Sequence, residues 1–193
     1  MKGTSSKNQF MLWQTLAGSS LIGLVASFIQ TVERIKFADD ASAKLICDVN
    51  AKLSCSSVFD AWQSSVFGFS NSIMCLAFFS ILLGVALVGV TGSQVLRGLR
   101  LTMHAASVFF LGFGAWYLWQ SSFVIGSLCL YCLFCYAAVI ILNAAWLRIN
   151  IADLKRTPKN TWLQLSVTNN YDLIGWTLYA LLVAAMIAIG VTR

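Results

Sequence analysis

The sequence has few charged residues, a single proline and a single histidine. Charged residues make up 10% of its 193 residues, whereas 59% are hydrophobic. A soluble domain of this length carries more charged surface and more turn residues, so the composition argues against a water-soluble globular protein. The composition is instead that of a membrane protein.

Five long stretches contain no Asp, Glu, Lys or Arg. Each has about the 20 residues that a helix needs to cross a bilayer. They are residues 10–31, 72–90, 101–123, 128–147 and 173–191. No small-residue cleavage site closes the first stretch, so we expect a retained helix rather than a removed signal peptide.

We predict an all-α integral membrane fold, a four-helix transmembrane bundle followed by a fifth transmembrane helix. The bundle would occupy residues 1–148 and would include a long outer loop, residues 32–71. An inner linker that contains Pro158 and the fifth helix would occupy residues 149–193.

The formal net charge is +6, yet we see no patch suited to nucleic acid. With a cytoplasmic N-terminus, eight Lys and Arg residues fall in inner segments and five in outer ones, as the positive-inside rule requires. The inner residues are Lys2, Lys7, Arg97, Arg100, Arg148, Lys155, Arg156 and Lys159. The outer residues are Arg34, Lys36, Lys44, Lys52 and Arg193.

No ionisable side chain falls deep within a predicted span. Proton- and ion-coupled transporters usually need one there, so a transporter is not expected. His104 has no Cys, Asp, Glu or second His at metal-ligand spacing, so we expect a packed or interfacial histidine and no metal site.

The outer loop contains a further helical pattern in "SSVFDAWQSSVFGFSNS". Apolar residues recur there at helical spacing, which predicts a short amphipathic cap helix suited to the membrane interface. Its apolar side would carry Val58, Phe59, Trp62 and Val66, and its polar side Asp60, Gln63, Ser64 and Ser65.

Four of the six cysteines fall on the predicted outer face. Cys47 and Cys55 lie in the loop, and Cys129 and Cys132 form a C-x-x-C motif at the outer end of the fourth helix. Disulfides form and persist on the oxidising side of a membrane. Two structural disulfides or a four-cysteine zinc site are alternatives to redox chemistry at this point.

The C-x-x-C spacing favours redox chemistry. A disulfide between helix positions i and i+3 closes a very short loop and restrains little chain entropy. The free N–H groups and dipole of a helix N-terminus stabilise a thiolate, which both attacks and leaves well in disulfide exchange. Cys135 lies deeper and is rotated away from Cys132, so we expect it, like Cys75, to be a packed apolar thiol.

Two polar residues lie near the motif at the same predicted depth. Tyr136 shares a helical face with Cys129 and Cys132, and Asn71 begins the second span. Buried polar groups need partners, which a flat apolar molecule with two carbonyl groups, such as a quinone, would supply. Asn71 could instead cap the second helix, where Asn is favoured, and both interpretations stay open.

Three motifs resemble the vitamin K epoxide reductase family and its bacterial homologues. The segment "CDVNAKLSCSSVF" is similar to the family's loop signature, and "NSI" to the segment with its quinone-contacting asparagine. The run "CLYC" with "LFCYA" is similar to its redox motif and the tyrosine that follows. The resemblance covers roughly residues 10–148. The bacterial disulfide-bond-forming protein B, which has the C-x-x-C first, fits less well.

The resemblance implies a membrane thiol–quinone oxidoreductase with a four-helix bundle around the quinone. Cys132 would react with the quinone, and Cys129 would be its disulfide partner. Cys55 would exchange with Cys129, and Cys47 would meet a thiol protein outside.

The resemblance also implies that Asn71 and Tyr136 hydrogen-bond the carbonyl groups of ubiquinone, menaquinone or vitamin K. The fifth helix and the short spacing between Cys55 and Asn71 resemble bacterial members, some of which continue into a thioredoxin-like domain. Because this sequence ends at Arg193, we expect a separate thioredoxin-fold thiol oxidase as partner. We expect a bacterial inner membrane, with the cysteines on its outer face.

Two other functions are compatible with the same residues. In an endoplasmic reticulum they would reduce vitamin K epoxide or vitamin K quinone. A non-enzymatic membrane scaffold would use two disulfides to stabilise its outer face. The response of Cys129 and Cys132 to quinone removal separates an enzyme from a scaffold.

Overall fold

The computed structural model describes residues 3–42, 44–154, 165–167 and 169–192. Six residues considered above lie outside these ranges: Lys2, Lys155, Arg156, Pro158, Lys159 and Arg193. The helices, in chain order, are α1 (Gly3–Asp39), α2 (Cys55–Asp60), α3 (Asn71–Val90), α4 (Arg97–Gln120), α5 (Leu130–Leu154) and α6 (Tyr171–Thr192). A 3₁₀ turn (Trp62–Ser65) follows α2, and a π-helical turn (Ser121–Ile125) continues α4.

The prediction of an all-α membrane bundle is confirmed. Within the described residues, five helices are long and apolar enough to cross a membrane, namely α1, α3, α4, α5 and α6. α1 packs against both α3 and α5, α4 packs on α5, and α6 lies against α4 and α5. α5 continues past residue 148 to Leu154, and Arg148 on α5 forms an ion pair with Asp172 at the start of α6.

The core of the bundle lies where α1, α3 and α5 meet. Its largest buried side chains are Leu16, Phe79, Leu82, Leu142 and Trp146. The ring of Trp13 meets that of Trp146 edge to face, with 5.7 Å between the ring centroids. Lipid tails are as apolar as these side chains, so helix association in a bilayer depends on this close packing rather than on escape from water.

Two glycines allow α1 and α3 to approach closely. A Cβ atom on Gly23 of α1 would lie 2.3 Å from the ring of Phe79, and a Cβ atom on Gly89 of α3 would lie 2.1 Å from the ring of Trp13. Each glycine therefore faces an aromatic ring of the other helix. Small residues at such crossings are typical of membrane bundles.

α1 is longer than the sequence predicted. The apolar stretch ends at residue 31, but the helix continues to Asp39 through Glu33 and Arg34. Both charged side chains bind the chain that follows, since Glu33 accepts a hydrogen bond from the N–H of Ile46 and Arg34 donates to the carbonyl of Phe59. α1 thus projects beyond the bundle, and residues 40–70 fold against it. We call this end of the molecule the loop end.

The cap segment differs from the single amphipathic helix that we predicted. The backbone is extended at Ala61, which interrupts the helix and separates α2 from the 3₁₀ turn. Phe59 is buried as expected, but Trp62 is 66% exposed. Gln63 and Ser64, predicted on the polar outer side, are buried. This interruption rotates the second half of the segment, so that the hydroxyl of Ser64 points inward and donates to the carbonyl of Phe59.

The glycine contacts give a first prediction, with Gly23→Ala as the test and Gly18→Ala as its control. Nothing in the described structure lies within 4 Å of a Cβ on Gly18, whereas one on Gly23 meets Phe79. Overpacking costs about 1–3 kcal/mol, so Gly23→Ala should unfold several degrees below the parent protein. Thermal unfolding in detergent measures this, and equal melting temperatures for the two variants would contradict the packing described.

Candidate functional site

The loop end brings residues far apart in sequence into contact. Gly126, with a φ of 74°, ends the π-helical turn and directs the chain towards the loop. There the N–H of Leu128 donates to the carbonyl of Lys52, and the N–H of Ser54 donates to the carbonyl of Leu128. The hydroxyl of Ser127 adds a bond to the carbonyl of Ala51. These bonds fix the residues before α5 beside the residues before α2.

Three of the predicted cysteines meet at this junction. Cys47 and Cys55 form a disulfide, with 5.7 Å between their Cα atoms. Cys55 begins α2, whose N-cap is Ser54, and its Sγ lies 3.2 Å from the Sγ of Cys129. All three sulfur-bearing side chains are buried. Thiol–disulfide exchange requires a thiolate next to a disulfide sulfur, and the free cysteine Cys129 lies next to the disulfide sulfur of Cys55.

Asp48 holds the turn between the two loop cysteines. Its carboxylate accepts hydrogen bonds from the hydroxyl of Ser54 and the N–H of Ser56. Burial raises the pKa of this carboxyl, but the bonds from Ser56 and Ser54 outweigh burial and hold the pKa below its ordinary value. The carboxylate therefore stays ionised at neutral pH and keeps the start of α2 in place.

Cys129 lies directly before α5, as predicted for a thiol at a helix N-terminus. A hydrogen bond from the Cys132 thiol lowers the pKa of Cys129, and the backbone N–H groups of Cys132 and Tyr131 lower it further, against the effect of burial. The free N–H groups of a helix start thus favour the thiolate of the residue that faces the disulfide.

Cys132 connects this junction to a cavity inside the bundle. The cavity holds about 630 Å³ of empty space, including its open side, and Cys132 is part of its wall. Most of the wall is apolar and aromatic, with the rings of Phe59, Phe79, Phe110, Phe113 and Tyr117. Small-molecule sites in proteins have walls of this character, with a few polar groups that orient the ligand.

Asn71 supplies one of those polar groups. It begins α3, and its amide nitrogen donates to the carbonyl of Gln63 at 2.7 Å, so within the described chain it does not cap the helix. The capping alternative is therefore wrong. Its Oδ1 atom is buried in the cavity wall and has no hydrogen-bond partner among the described residues. A ligand with hydroxyl or carbonyl groups fits this amide, because it offers a free acceptor and a second N–H.

Tyr136 also lines the cavity, but its hydroxyl already has partners. It lies 3.2 Å from the carbonyl oxygen of Leu111 and 2.5 Å from the hydroxyl of Tyr179 on α6. Gly114 makes room for the ring, since a Cβ atom there would lie 2.4 Å from it. Tyr136 therefore has to exchange one of these bonds to bind a ligand, and the fifth spanning helix takes part in the network.

Cys75 and Cys135, predicted as packed apolar thiols, both lie in the cavity wall. Cys135 is buried, and its sulfur lies 3.7 Å from the carbonyl oxygen of Gly23 on α1. Cys135 is rotated away from Cys132 on α5, but both side chains still line the cavity, because the cavity wall includes more than one side of this helix.

Sequence reasoning missed three polar residues at this site. Gln30 on α1 donates a hydrogen bond to the sulfur of Cys132, Tyr179 on α6 contacts Tyr136, and Glu33 binds the loop. Each is a polar residue within or just beyond an apolar stretch, which is the signal that could have marked them. Their partners are distant in sequence and could not be read from spacing.

Glu33 binds the segment of the loop that precedes the buried Cys47–Cys55 disulfide. One carboxylate oxygen accepts from the N–H of Ile46 and the other from Lys36, both at 2.8 Å. Cys47 follows Ile46 directly and is 1% exposed. A large molecule therefore cannot reach the disulfide until the loop opens, and Glu33 opposes that opening.

The fold and this site define a membrane protein of several spans that can exchange thiols and a disulfide beside an apolar ligand cavity. A sequence profile of the vitamin K epoxide reductase family matches residues 14–147. The chain belongs to this family of quinone-using membrane oxidoreductases, and the family resemblance of its motifs is confirmed. No curated protein matches the chain.

The cover over Cys47 gives a second prediction, tested with Glu33→Ala. A hydrogen bond to a charged group is worth about 1.5–3 kcal/mol, so loss of the bond between Glu33 and Ile46 should raise the open fraction of the loop roughly tenfold. A water-soluble phosphine should then reduce the Cys47–Cys55 disulfide roughly tenfold faster. Asp40→Ala is the control, because that exposed carboxylate bonds Ser42 rather than Ile46. Equal rates in both variants would show that Glu33 does not restrain the loop.

Proposed function

We propose that this protein passes electrons from a thioredoxin-fold thiol protein through two cysteine pairs to a membrane quinone, and so supports disulfide bond formation. The observation that carries the proposal is the continuity of the site. The disulfide of Cys55 touches Cys129, and the partner of Cys129 in the C-x-x-C motif, Cys132, lines the cavity. A scaffold with two structural disulfides has no need of a free thiol in a ligand cavity.

The first step is the reduction of the Cys47–Cys55 disulfide by the partner. A thiolate of the partner attacks Cys47, releases Cys55 as a thiolate, and the partner's second thiol resolves the mixed disulfide. The partner leaves with a disulfide, and the loop holds two thiols. Because Cys47 is buried, this step needs the loop to open, which agrees with a large protein as donor.

The second step moves the electron pair inward. The thiolate of Cys55 attacks Cys129 in the Cys129–Cys132 disulfide, and Cys132 leaves as a thiolate. Cys47 then attacks Cys55, re-forms the loop disulfide and frees Cys129. The contact of 3.2 Å between the sulfurs of Cys55 and Cys129 supports this route. The hydrogen bonds that lower the pKa of Cys129 favour it as the leaving thiol in the last exchange.

The third step returns Cys129 and Cys132 to a disulfide. Their dithiol gives up two electrons and two protons, which convert a quinone to a hydroquinone. Asn71 would donate its remaining N–H to a quinone carbonyl, and its free Oδ1 would accept from a hydroxyl of the hydroquinone. Tyr136 would donate after exchanging its bond to Leu111 or Tyr179. The aromatic wall would hold the ring and exclude water. The quinone type, ubiquinone, menaquinone or vitamin K, is not distinguished by these contacts.

We place the loop end on the outer, oxidising face of a bacterial inner membrane, with the N-terminus in the cytoplasm. The support is chemical, since a loop disulfide that is remade in each cycle requires an oxidising compartment. In this proposal residues 1–148 form the catalytic bundle, and residues 149–193 add a linker and an accessory helix that reaches the site through Tyr179.

Two cysteine variants test the proposed reaction. Cys132→Ala removes the thiol that faces both Cys129 and the cavity, so quinone reduction should fall to the rate without protein. Cys135→Ala should keep most of the activity, because its sulfur is directed to the carbonyl of Gly23. Purified protein with dithiothreitol as donor and a short-chain ubiquinone as acceptor gives the rates by ultraviolet absorbance. The reverse pattern would assign the reaction to the wrong thiol.

A trapped intermediate tests the electron path. In Cys47→Ala/Cys132→Ser, neither resolving thiol is present, so Cys55 and Cys129 should persist as a mixed disulfide under oxidising conditions. Peptide mapping without reductant identifies the bond. Cys47→Ala/Cys135→Ser is the control and should not trap it, because Cys132 can still release Cys129. Free thiols at both Cys55 and Cys129 in the first variant would rule out the loop as an electron carrier.

A further inference from the structure

Gln30 is an unusual residue for its position. It lies within the apolar stretch of α1, and its side chain is 6% exposed. A buried amide is costly in an apolar environment unless its hydrogen-bonding groups find partners. An apolar residue would pack on α3 and α5 without that cost, so the amide needs a reason.

The amide of Gln30 is directed at a reacting atom. Its Nε2 atom donates to the Sγ of Cys132 at 3.1 Å, across 102 positions of sequence. Gln30 also belongs to the wall of the cavity that Cys132 lines. The donor therefore lies at the point where the C-x-x-C motif meets the ligand space.

The bond contributes little if Cys132 is always a neutral thiol or half of a disulfide. A thiol sulfur is a weak acceptor, whereas a thiolate accepts a charge-assisted hydrogen bond of about twice the ordinary strength. An N–H donor aimed at sulfur thus favours the anion over the thiol and over the disulfide.

The charged groups nearby are engaged elsewhere. Arg34, one turn along α1 from Gln30, donates to the carbonyl of Phe59 and lies over the rings of Phe37 and Phe59. Within the described residues, the polar contacts of the Cys132 sulfur are with Gln30 and Cys129. Cys129 cannot stabilise a Cys132 thiolate when it is bonded to Cys55, so Gln30 is the donor that stays.

We propose that Gln30 is a catalytic residue that stabilises the Cys132 thiolate through its amide N–H whenever that thiolate forms, above all while Cys129 is bonded to Cys55. The inference deepens the proposed function, on which it rests for the identity of the reaction. A neutral donor suits this position, because a fixed cation within the span would be more costly and would oppose the entry of an apolar ligand.

Two properties of Cys132 should depend on this bond. Its alkylation by a small permeant maleimide should follow the thiolate fraction, so loss of the donor moves the pH profile to higher pH. The reduced form of the Cys129–Cys132 pair should also lose stability relative to the disulfide. The pair then becomes harder to reduce.

The experiment uses the full chain in detergent with Gln30→Met, which keeps the length of the side chain and removes the donor. Cys132 should be alkylated about tenfold more slowly at neutral pH, by the strength of a charge-assisted hydrogen bond. At an alkaline pH at which the reduced pair carries the Cys132 thiolate, the Cys129–Cys132 pair in equilibrium with dithiothreitol should shift by up to about tenfold towards the disulfide, which is about 30 mV for a two-electron couple. Mass spectrometry of the Cys132 peptide gives both values without a quinone.

Ser27→Ala is the matched control. Ser27 is a buried polar residue of α1 one turn before Gln30, and its hydroxyl bonds Leu24 of the same helix. It should leave the alkylation profile and the redox equilibrium unchanged. Gln30→Leu is a second variant that has no N–H donor, and it should slow alkylation as Gln30→Met does.

The outcomes separate this inference from the proposed function. If Gln30→Met behaves as the parent protein in both measurements while Cys132→Ala abolishes quinone reduction, the inference is overturned and the proposed function stands. If the Gln30 variants shift both values but the parent protein reduces no quinone, the inference holds for the thiol and the proposed acceptor is wrong.

Discussion

The contact between Cys55 and Cys129 is the constraint on which the site depends. Two sulfur atoms can lie 3.2 Å apart only if the loop is fixed on the bundle, and the loop is fixed by backbone pairing of residues 52–54 with Leu128. Gly126 makes that pairing possible by turning the chain at the end of α4. Asp48 and Glu33 hold the two sides of the cysteine loop through hydrogen bonds to their carboxylates. The exchange geometry is thus a property of the loop and the helix start together.

The proposed reaction needs the site to be open to water on one side and to the apolar bilayer on the other, within a short distance. In the proposed function, a thiol protein meets Cys47 in water, whereas a quinone reaches the cavity through the apolar bilayer. The junction meets both conditions because Cys129 lies directly before α5, and Cys132 lies in the first turn of α5, in the cavity wall. In the proposed function, one turn of helix separates the thiol that exchanges with the loop disulfide from the thiol that faces the quinone. Thiolates are poorly stabilised at that depth, and this is where a donor such as Gln30 has its use.

The fifth spanning helix, α6, is joined to the bundle by polar contacts. The hydroxyl of Tyr179, near the middle of α6, lies 2.5 Å from that of Tyr136, and Arg148 pairs with Asp172 in the first turn of α6. Two polar contacts in the first half of the helix thus fix a helix that is largely apolar. The region that matches the family profile ends at residue 147, so α6 lies outside the matched region.

The sequence by itself determined the spans, the cysteine pairs and the family. Charge-free stretches of bilayer length admit few other folds, and motif order with its spacing is local information. It did not determine that Asn71 binds Gln63 rather than capping α3, that Gln63 turns inward while Trp62 turns out, or that Gln30, Glu33 and Tyr179 belong to the site. Only the tertiary structure decided these, because each depends on a partner far along the chain, and hydrogen bonds between distant segments leave no periodic trace in sequence.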